Sequence, residues 1–247
     1  MTAELGCYVY GVVGSTAAAP DTLPEGVGGA AVERLVLDEV AALVSDVPLE
    51  RPPGRRRDVL AHSAVLDAWA QVGPVVPVRF GSVLEGRDAV VPELLGPRYD
   101  DFVALLGDLT GRGQFTVRAR YHEPVVLAEV VRENPEIDRL REATRDAPEE
   151  AVYPEKVRLG ELVARAMEAK READAATVLN LVVPHAAAHV VHEGAGVDHL
   201  LDAAFLVDDD RRSRFEDALE SVAEAMHERA TVRLLGPLAP YDFVAGE

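Results

Sequence analysis

Apolar positions recur along this chain with two periods, close to two and close to 3.6 residues, and the switches between them lay out the elements. Residues 6–13 (GCYVYGVV) read as a first strand, ended by Gly14 and a small-residue loop that reaches Gly29. Residues 32–37 and 40–47 read as two short strands, and the Asp38-Glu39 step between them predicts a hairpin. A breaker cluster at 51–54 follows. Val59, His62, Val65, Leu66 and Trp69 then fall at helical spacing within 58–72, and Gly73-Pro74 stops that helix. Residues 75–80 form a short strand with Pro77 inside. A proline has no N–H for a second neighbour, so an edge position or a bulge is expected here rather than a central strand. From 87 to 109 the pattern is helical again, with a break at Gly96-Pro97.

Gly111-Arg112-Gly113 reads as a domain boundary. Beyond it, Phe115, Val117, Ala119 and Tyr121 alternate with Thr116, Arg118 and Arg120, as on a strand with one apolar face. Residues from about 125 to 150 are charged and helical, interrupted by Pro124, Pro135 and Pro148. A long helix is predicted over 154–181, with Pro154 in the favoured first turn. Its inner stripe is expected to be Leu159, Leu162, Ala166, Ala169, Ala173 and Ala176; Glu161 with Arg165 and Lys170 with Asp174 are expected as outer pairs four apart. Strands follow at 186–192 and 200–207. Next comes a helix carrying Phe215, Leu219, Val222, Ala223 and Met226 on one face, with Ser213 and Glu216 at capping-box spacing. The last strand is 231–235. This order, strand-helices-strand-strand-helix-strand, is that of a ferredoxin-like βαββαβ sandwich with helices inserted in its first crossover. The expectation is therefore an α+β protein of two domains, a mixed α/β domain over 1–112 and a ferredoxin-like domain over 113–247, the latter with both long helices on one face of its sheet.

Composition narrows the function. Apolar residues make up 48% of the 247 positions but aromatics only 5%, so the cores must be built largely from Leu, Val and Ala. The formal charge of −18 disfavours anionic surfaces, and the one basic cluster, Arg55-Arg56-Arg57, is too small to give the basic face of a nucleic-acid binder. No apolar run approaches the roughly 18 residues of a membrane span, and the first ten residues carry Glu4 and no Lys or Arg, unlike a signal peptide. A cytoplasmic protein that binds neither nucleic acid nor membrane is expected. The single cysteine, Cys7, lies in a Val/Tyr-rich strand and reads as a small buried hydrophobe.

Reactive constellations are sparse. The run Gly26-Val27-Gly28-Gly29-Ala30-Ala31 follows a loop and precedes a β-like stretch, whereas a nucleotide loop must join a strand to a helix. His185, His189, His192 and His199 cluster in sequence, but Ala186 stands where a zinc protease needs its Glu, and on a strand His189 and His192 point to opposite faces. Asp208-Asp209-Asp210 lacks the glycine of a calcium loop and reads as acids placed near a helix start. His62 and Ser63 lack the strand-turn-helix elbow of a hydrolase. No catalytic residue, metal or cofactor is expected.

Several segments, taken in order, resemble one family. They are Tyr8-Val9-Tyr10-Gly11-Val12, the helix that His62 opens toward Val76-Pro77-Val78-Arg79-Phe80-Gly81-Ser82-Val83, the Lys156-Val157-Arg158-Leu159-Gly160-Glu161 start of the long helix, and Ala204-Phe205-Leu206-Val207 followed by Gly236-Pro237-Leu238-Ala239-Pro240-Tyr241-Asp242-Phe243. Together they are similar to the gas vesicle GvpF/GvpL family. The resemblance implies an N-terminal α/β domain, a ferredoxin-like C-terminal domain and no enzymatic activity. It also implies an accessory or minor structural role in which the chain binds the hydrophobic shell protein during vesicle nucleation and growth, together with other gas vesicle accessory proteins. Tyr8, Tyr10, Gly11, His62, Pro77, Arg79, Phe80, Gly81, Gly236, Pro237, Tyr241 and Phe243 are the family-motif positions, structural or partner-binding. Arg79 pairs with an acid such as Asp67 or faces a partner, and a ligand-binding or regulatory ferredoxin-like module stands as the alternative function.

Overall fold

The structure, a computed structural model, describes residues 4–50, 52–148, 150 and 152–244. Arg51 of the expected breaker cluster and the three residues at either end lie outside the described residues. By contact density the chain separates into two compact units. Residues up to Phe115, 206–209 and those from Leu235 onward form one; 116–205 and 210–234 form the other.

In the first unit β1 (Leu5–Gly14) is buried over nearly its whole length, which demands a layer on each of its faces. It pairs antiparallel with β3 (Val40–Pro48) on one side and with β4 (Val75–Pro77) and β5 (Val83–Leu84) on the other. β2 (Glu33–Leu37) extends the sheet beyond β3, in the order β2-β3-β1-β4. The β2–β3 hairpin turns at Asp38, a non-glycine residue at φ 48°, and Pro77 lies on the edge strand as expected. Tyr10 is an extra residue in β1, because Val9 pairs with Val44 and Gly11 with the adjacent Leu43. This bulge shifts the alternation by one. Tyr8, Tyr10 and Val13 therefore share one face, and Cys7, Val9 and Val12 the other.

Each face receives one helix. α1 (Arg56–Ala70) brings Val65, Leu66 and Trp69 onto the Tyr8/Tyr10 face. α2 (Tyr99–Leu109) brings Phe102, Leu106 and Leu109 onto the Cys7 face. Each such side chain taken fully out of water is worth roughly 1.5–3 kcal/mol. Burial pushes the Cys7 thiol up to about 11, so it behaves as an apolar side chain. Asp58 anchors the start of α1 by accepting the N–H groups of Gly54 (3.2 Å) and Arg55 (3.0 Å), which holds its carboxyl low. The expected break at Gly96-Pro97 follows a 3₁₀ turn (Arg87–Ala89) and a π-helical turn (Val91–Leu95).

The second sheet, in the order β7-β8-β6-β9, consists of β6 (Arg112–Tyr121), β7 (Ala188–Val191), β8 (His199–Asp208) and β9 (Ala230–Leu238). The larger part of each lies in the second unit, with α3 (Glu123–Glu133), α4 (Pro135–Arg145), α5 (Tyr153–Val182) and α6 (Arg212–Met226). The Tyr121 N–H donates to Asp198 and the Asp209 N–H to Gly111, so β6 and β8 run antiparallel. Phe115, Val117, Ala119 and Tyr121 are all buried, while Arg118 and Arg120 are exposed. On α6, Phe215, Leu219, Val222 and Met226 are buried, and Phe215 meets Phe205 at 5.3 Å between ring centroids. α5 contacts α3, α4 and α6.

Three local expectations need correction. On α5 the buried positions are Met167, Val178 and Val182, whereas Ala169, Ala173 and Ala176 are exposed. Lys170 and Asp174 do not pair with each other on the outside. Lys170 binds Glu129 (3.1 Å) and Glu133 (2.8 Å), while Asp174 accepts from Arg229 (2.8 Å) and the Tyr121 hydroxyl (2.7 Å). Arg229 also bonds Glu129 at 2.9 Å. The inward stripe of α5 thus carries charged residues, which are tolerated because each finds opposite charge. At α6, Arg211 is the N-cap without a side-chain cap, and Glu216 pairs with Arg212 at 2.8 Å, so Ser213 and Glu216 form no capping box. The expected Glu161–Arg165 pair is present at 3.8 Å.

Candidate partner-binding cleft

His62 projects from α1 into the Tyr8/Tyr10 face of the first sheet and is 1% exposed. Its Nδ1 lies 2.8 Å from the Tyr8 hydroxyl and its Nε2 lies 2.6 Å from the Tyr241 hydroxyl. The Tyr8 oxygen also accepts the Gly81 N–H at 3.2 Å, so Tyr8, His62 and Tyr241 form one hydrogen-bonded network that engages both imidazole nitrogens. Tyr10 stacks on the imidazole at 5.6 Å and 22°, and Phe80 meets it edge-on at 5.6 Å. The Tyr10 hydroxyl accepts the Val27 N–H (2.7 Å) and contacts the Ser45 hydroxyl (2.8 Å). Burial lowers the His62 pKa to about 4 and raises that of Tyr8 to about 12. The imidazole is therefore neutral at physiological pH. With both nitrogens engaged it offers no lone pair to a substrate and acts as a rivet.

The other family-motif residues support this cluster. A Cβ at Gly11 would lie 2.7 Å from the Val76 carbonyl and 2.8 Å from Leu66, so only glycine lets α1 and β4 approach there. Gly81 adopts φ 90°, which orients its N–H toward Tyr8. The segment after β9 is held within the same unit. Asp67 accepts the Ala239 N–H (3.0 Å), Gln71 donates to the Pro237 carbonyl (3.1 Å), and Gln114 and Asp242 exchange two hydrogen bonds. Gly236 precedes the cis bond to Pro237 at φ 141°, and Phe243 is half-buried against the α2-side core.

Beside this cluster opens a cleft of about 600 Å³. Val76, Val78, Phe80, Leu94, Phe102 and Leu105 give it an apolar floor, and Val59 and Tyr241 stand at its rim, 41% and 43% exposed. Pro77, Arg79 and Arg98 also line it. Arg79 is exposed and makes no ion pair among the described residues; Asp67, its suggested partner, instead holds the Ala239 backbone. Arg98 lies over the Phe102 ring at 5.0 Å. Sequence periodicity gave no sign of Arg98, which follows the Gly96-Pro97 break.

The remaining candidates sit apart from the cleft. The glycine run at 26–31 forms a 3₁₀ turn (Val27–Gly29) whose backbone caps Tyr10. His189 stacks near Phe205, His192 lies 3.5 Å from Asp202, and His199 is buried, with its pKa lowered by burial. Asp208 pairs with Arg112 at 2.9 Å. Among the described residues no three His, Cys, Asp or Glu groups are placed to hold a metal, and no helix is long and apolar enough to cross a membrane.

The protein is of the α+β class, and its first unit carries a concave apolar surface. Comparison with known proteins gives that class a family. The profile of the gas vesicle synthesis proteins GvpL/GvpF matches residues 6–245, and the chain belongs to that family. It is 35% identical to gas vesicle protein F of a Streptomyces species, over 97% of this chain and 100% of that protein. It is 30% identical to gas vesicle protein L of the same organism, over 96% and 91%. Among solved structures, GvpF from Anabaena sp. superposes with a TM-score of 0.79 at 24% identity, covering 98% of this chain and 99% of that one, which shows the shared mixed α+β fold.

Proposed function

We propose that this chain is a non-enzymatic accessory or minor structural protein of gas vesicle formation, cytoplasmic and vesicle-associated. In this reading it binds the hydrophobic shell protein during nucleation and growth, alongside other gas vesicle accessory proteins. The observation that carries it is the cleft beside His62. A concave apolar surface of about 600 Å³ is built by Phe80, Pro77 and Tyr241, positions of the family motifs, and held open by a hydrogen-bonded aromatic cluster. Apolar area buried against a partner is worth about 25 cal/mol per Å², so a surface of this kind suits a hydrophobic protein. The acidic exterior, −18 overall, keeps the protein itself dispersed. The second unit is read as ferredoxin-like, supported by a sheet order in which its strands run second, third, first, fourth. The domains proposed in sequence are 1–112 and 113–247, with the stretch from Leu235 onward packing in the first unit.

The test is co-expression with the shell protein followed by affinity capture, alongside vesicle formation in cells lacking the chromosomal copy. Capture of the shell protein, reduced by Val59→Asp at unchanged protein level, supports the reading. Normal vesicles without this chain, and no capture, would overturn it.

A further inference from the structure

The charge lining the cleft is opposite to that of the molecule. The chain has 43 acidic and 25 basic residues, yet none of the fifteen residues around the cleft is Asp or Glu, and two are arginines. Some arginines elsewhere are closely neutralised, Arg87 by Glu33 and Asp46 at 2.6 and 2.9 Å, Arg112 by Asp208 at 2.9 Å and Arg229 by Glu129 and Asp174, while others on the open surface make no ion pair among the described residues. What sets the cleft apart is that its cations stand beside apolar side chains with no acid in the lining. Arg79 makes no ion pair among the described residues, and the one acid near Arg98 is Asp101 at 4.0 Å, the outer limit of a contact and 70% exposed. Two cations left with little compensation beside Val78, Phe80, Phe102 and Leu105 make a site with apolar and cationic character at once.

We propose that the cleft binds an apolar polypeptide segment bearing a carboxylate, the apolar side chains seating on Phe80, Phe102 and Leu105 and the carboxylate meeting Arg79 and Arg98. This rests on the reading that a hydrophobic partner docks here and specifies the chemistry of that partner. A guanidinium presents two parallel N–H donors that match a carboxylate, and its weak hydration suits a site next to apolar surface. A purely aliphatic segment would leave both arginines to be partly desolvated without compensation, and a basic segment would be repelled. The acid therefore sets which apolar segment is accepted and in which orientation, while apolar burial supplies most of the affinity.

The test uses the full chain, the co-expressed shell protein and overlapping synthetic peptides of that protein, each acidic peptide also made with Glu→Gln or Asp→Asn. The double variant R79Q/R98Q is expected to weaken capture about tenfold, from two charge-assisted contacts of about 0.7 kcal/mol each. One acidic peptide should bind the wild type and lose a similar factor on amide replacement, with no further loss in the double variant. Circular dichroism and the melting temperature of each variant check that the fold is retained; both arginines are surface groups, so it should be. If Val59→Asp abolishes capture while R79Q/R98Q leaves it unchanged, the cleft is the docking site but reads no carboxylate, and this inference alone falls. If neither variant changes capture, docking lies elsewhere and the site assignment fails with it. Self-association of the purified chain that R79Q/R98Q abolishes would assign the cleft to a second copy and also overturn the proposal.

Discussion

Replacing His62 by Gln removes a titratable group that the fold keeps neutral, and it should flatten the acid side of the stability profile. In the unfolded chain this imidazole takes its proton near 6.5; in the fold, burial delays protonation to about 4. Between those values the unfolded state holds one proton more than the folded state, so stability falls as pH falls. At about 1.4 kcal/mol per unit, the full window is worth about 3 kcal/mol, present above pH 6.5 and lost on approach to pH 4. Neighbouring carboxyls contribute to the wild-type curve with both signs. Asp67 is raised by burial, whereas Asp58 is held low by the backbone N–H groups of Arg55 and Gly54. They are present in both proteins and cancel in the difference. Gln retains a donor and an acceptor for Tyr8 and Tyr241, so a uniform offset in stability is expected, separate from the slope. Trp69, the single tryptophan, is buried on the same helix and reports unfolding of this unit in urea titrations from pH 7 to pH 4. The wild type should lose about 3 kcal/mol more than H62Q across that range. Parallel curves would show that His62 takes up its proton equally in the folded and unfolded states, and the buried, neutral Tyr8–His62–Tyr241 arrangement would be wrong.

Gly236→Ala should destabilise the first unit by about 2 kcal/mol or more, because the residue sits at φ 141° and a Cβ would lie 2.8 Å from the Gln114 carbonyl; denaturant titration followed by Trp69 reads it. Asp174→Ala should cost about 1–3 kcal/mol in the second unit, since it strips a partner from both Arg229 and the Tyr121 hydroxyl; the loss should appear in far-UV melting and should shrink when Arg229→Met is already in place. Replacing His185 and His189 by Ala should leave vesicle yield unchanged, and a loss of vesicles together with a bound metal would refute this.

What the sequence revealed follows from which forces leave a local trace. The α1 pattern was legible because His62, Val65, Leu66 and Trp69 face one layer, and a single buried stripe repeats at helical spacing. The α5 stripe was not, because its inner face includes Lys170 and Asp174, whose partners Glu129, Glu133 and Arg229 are distant in sequence. A pair four apart looks like surface decoration until those partners are placed, and the alanines look like the inward stripe in their stead. In β1 both faces are apolar, and no alternation could reveal that Tyr10 is the bulged residue that moves Val12 and Val13 to opposite cores.

The site shows the same division. Tyr8, His62, Phe80 and Tyr241 are legible in the sequence as motif positions, but only the fold brings residues 8 and 241 to the two nitrogens of one imidazole. Composition did carry a hint. A chain with only six tyrosines and six phenylalanines must build most of its core from aliphatic side chains, yet Tyr8, Tyr10, Phe80, Phe102 and Tyr241 meet at His62 or line the cleft beside it. Aromatic side chains have few rotatable bonds, so a surface made from them loses little conformational entropy when a partner arrives. Phe205 and Phe215 pack in the second core, but five of the twelve Tyr and Phe residues gather at or behind this one concave surface, an arrangement that favours docking there. That rigidity depends on the neutral His62 linking Tyr8 to Tyr241. The partner affinity of the cleft and the acid stability of its unit should therefore weaken together as His62 is protonated.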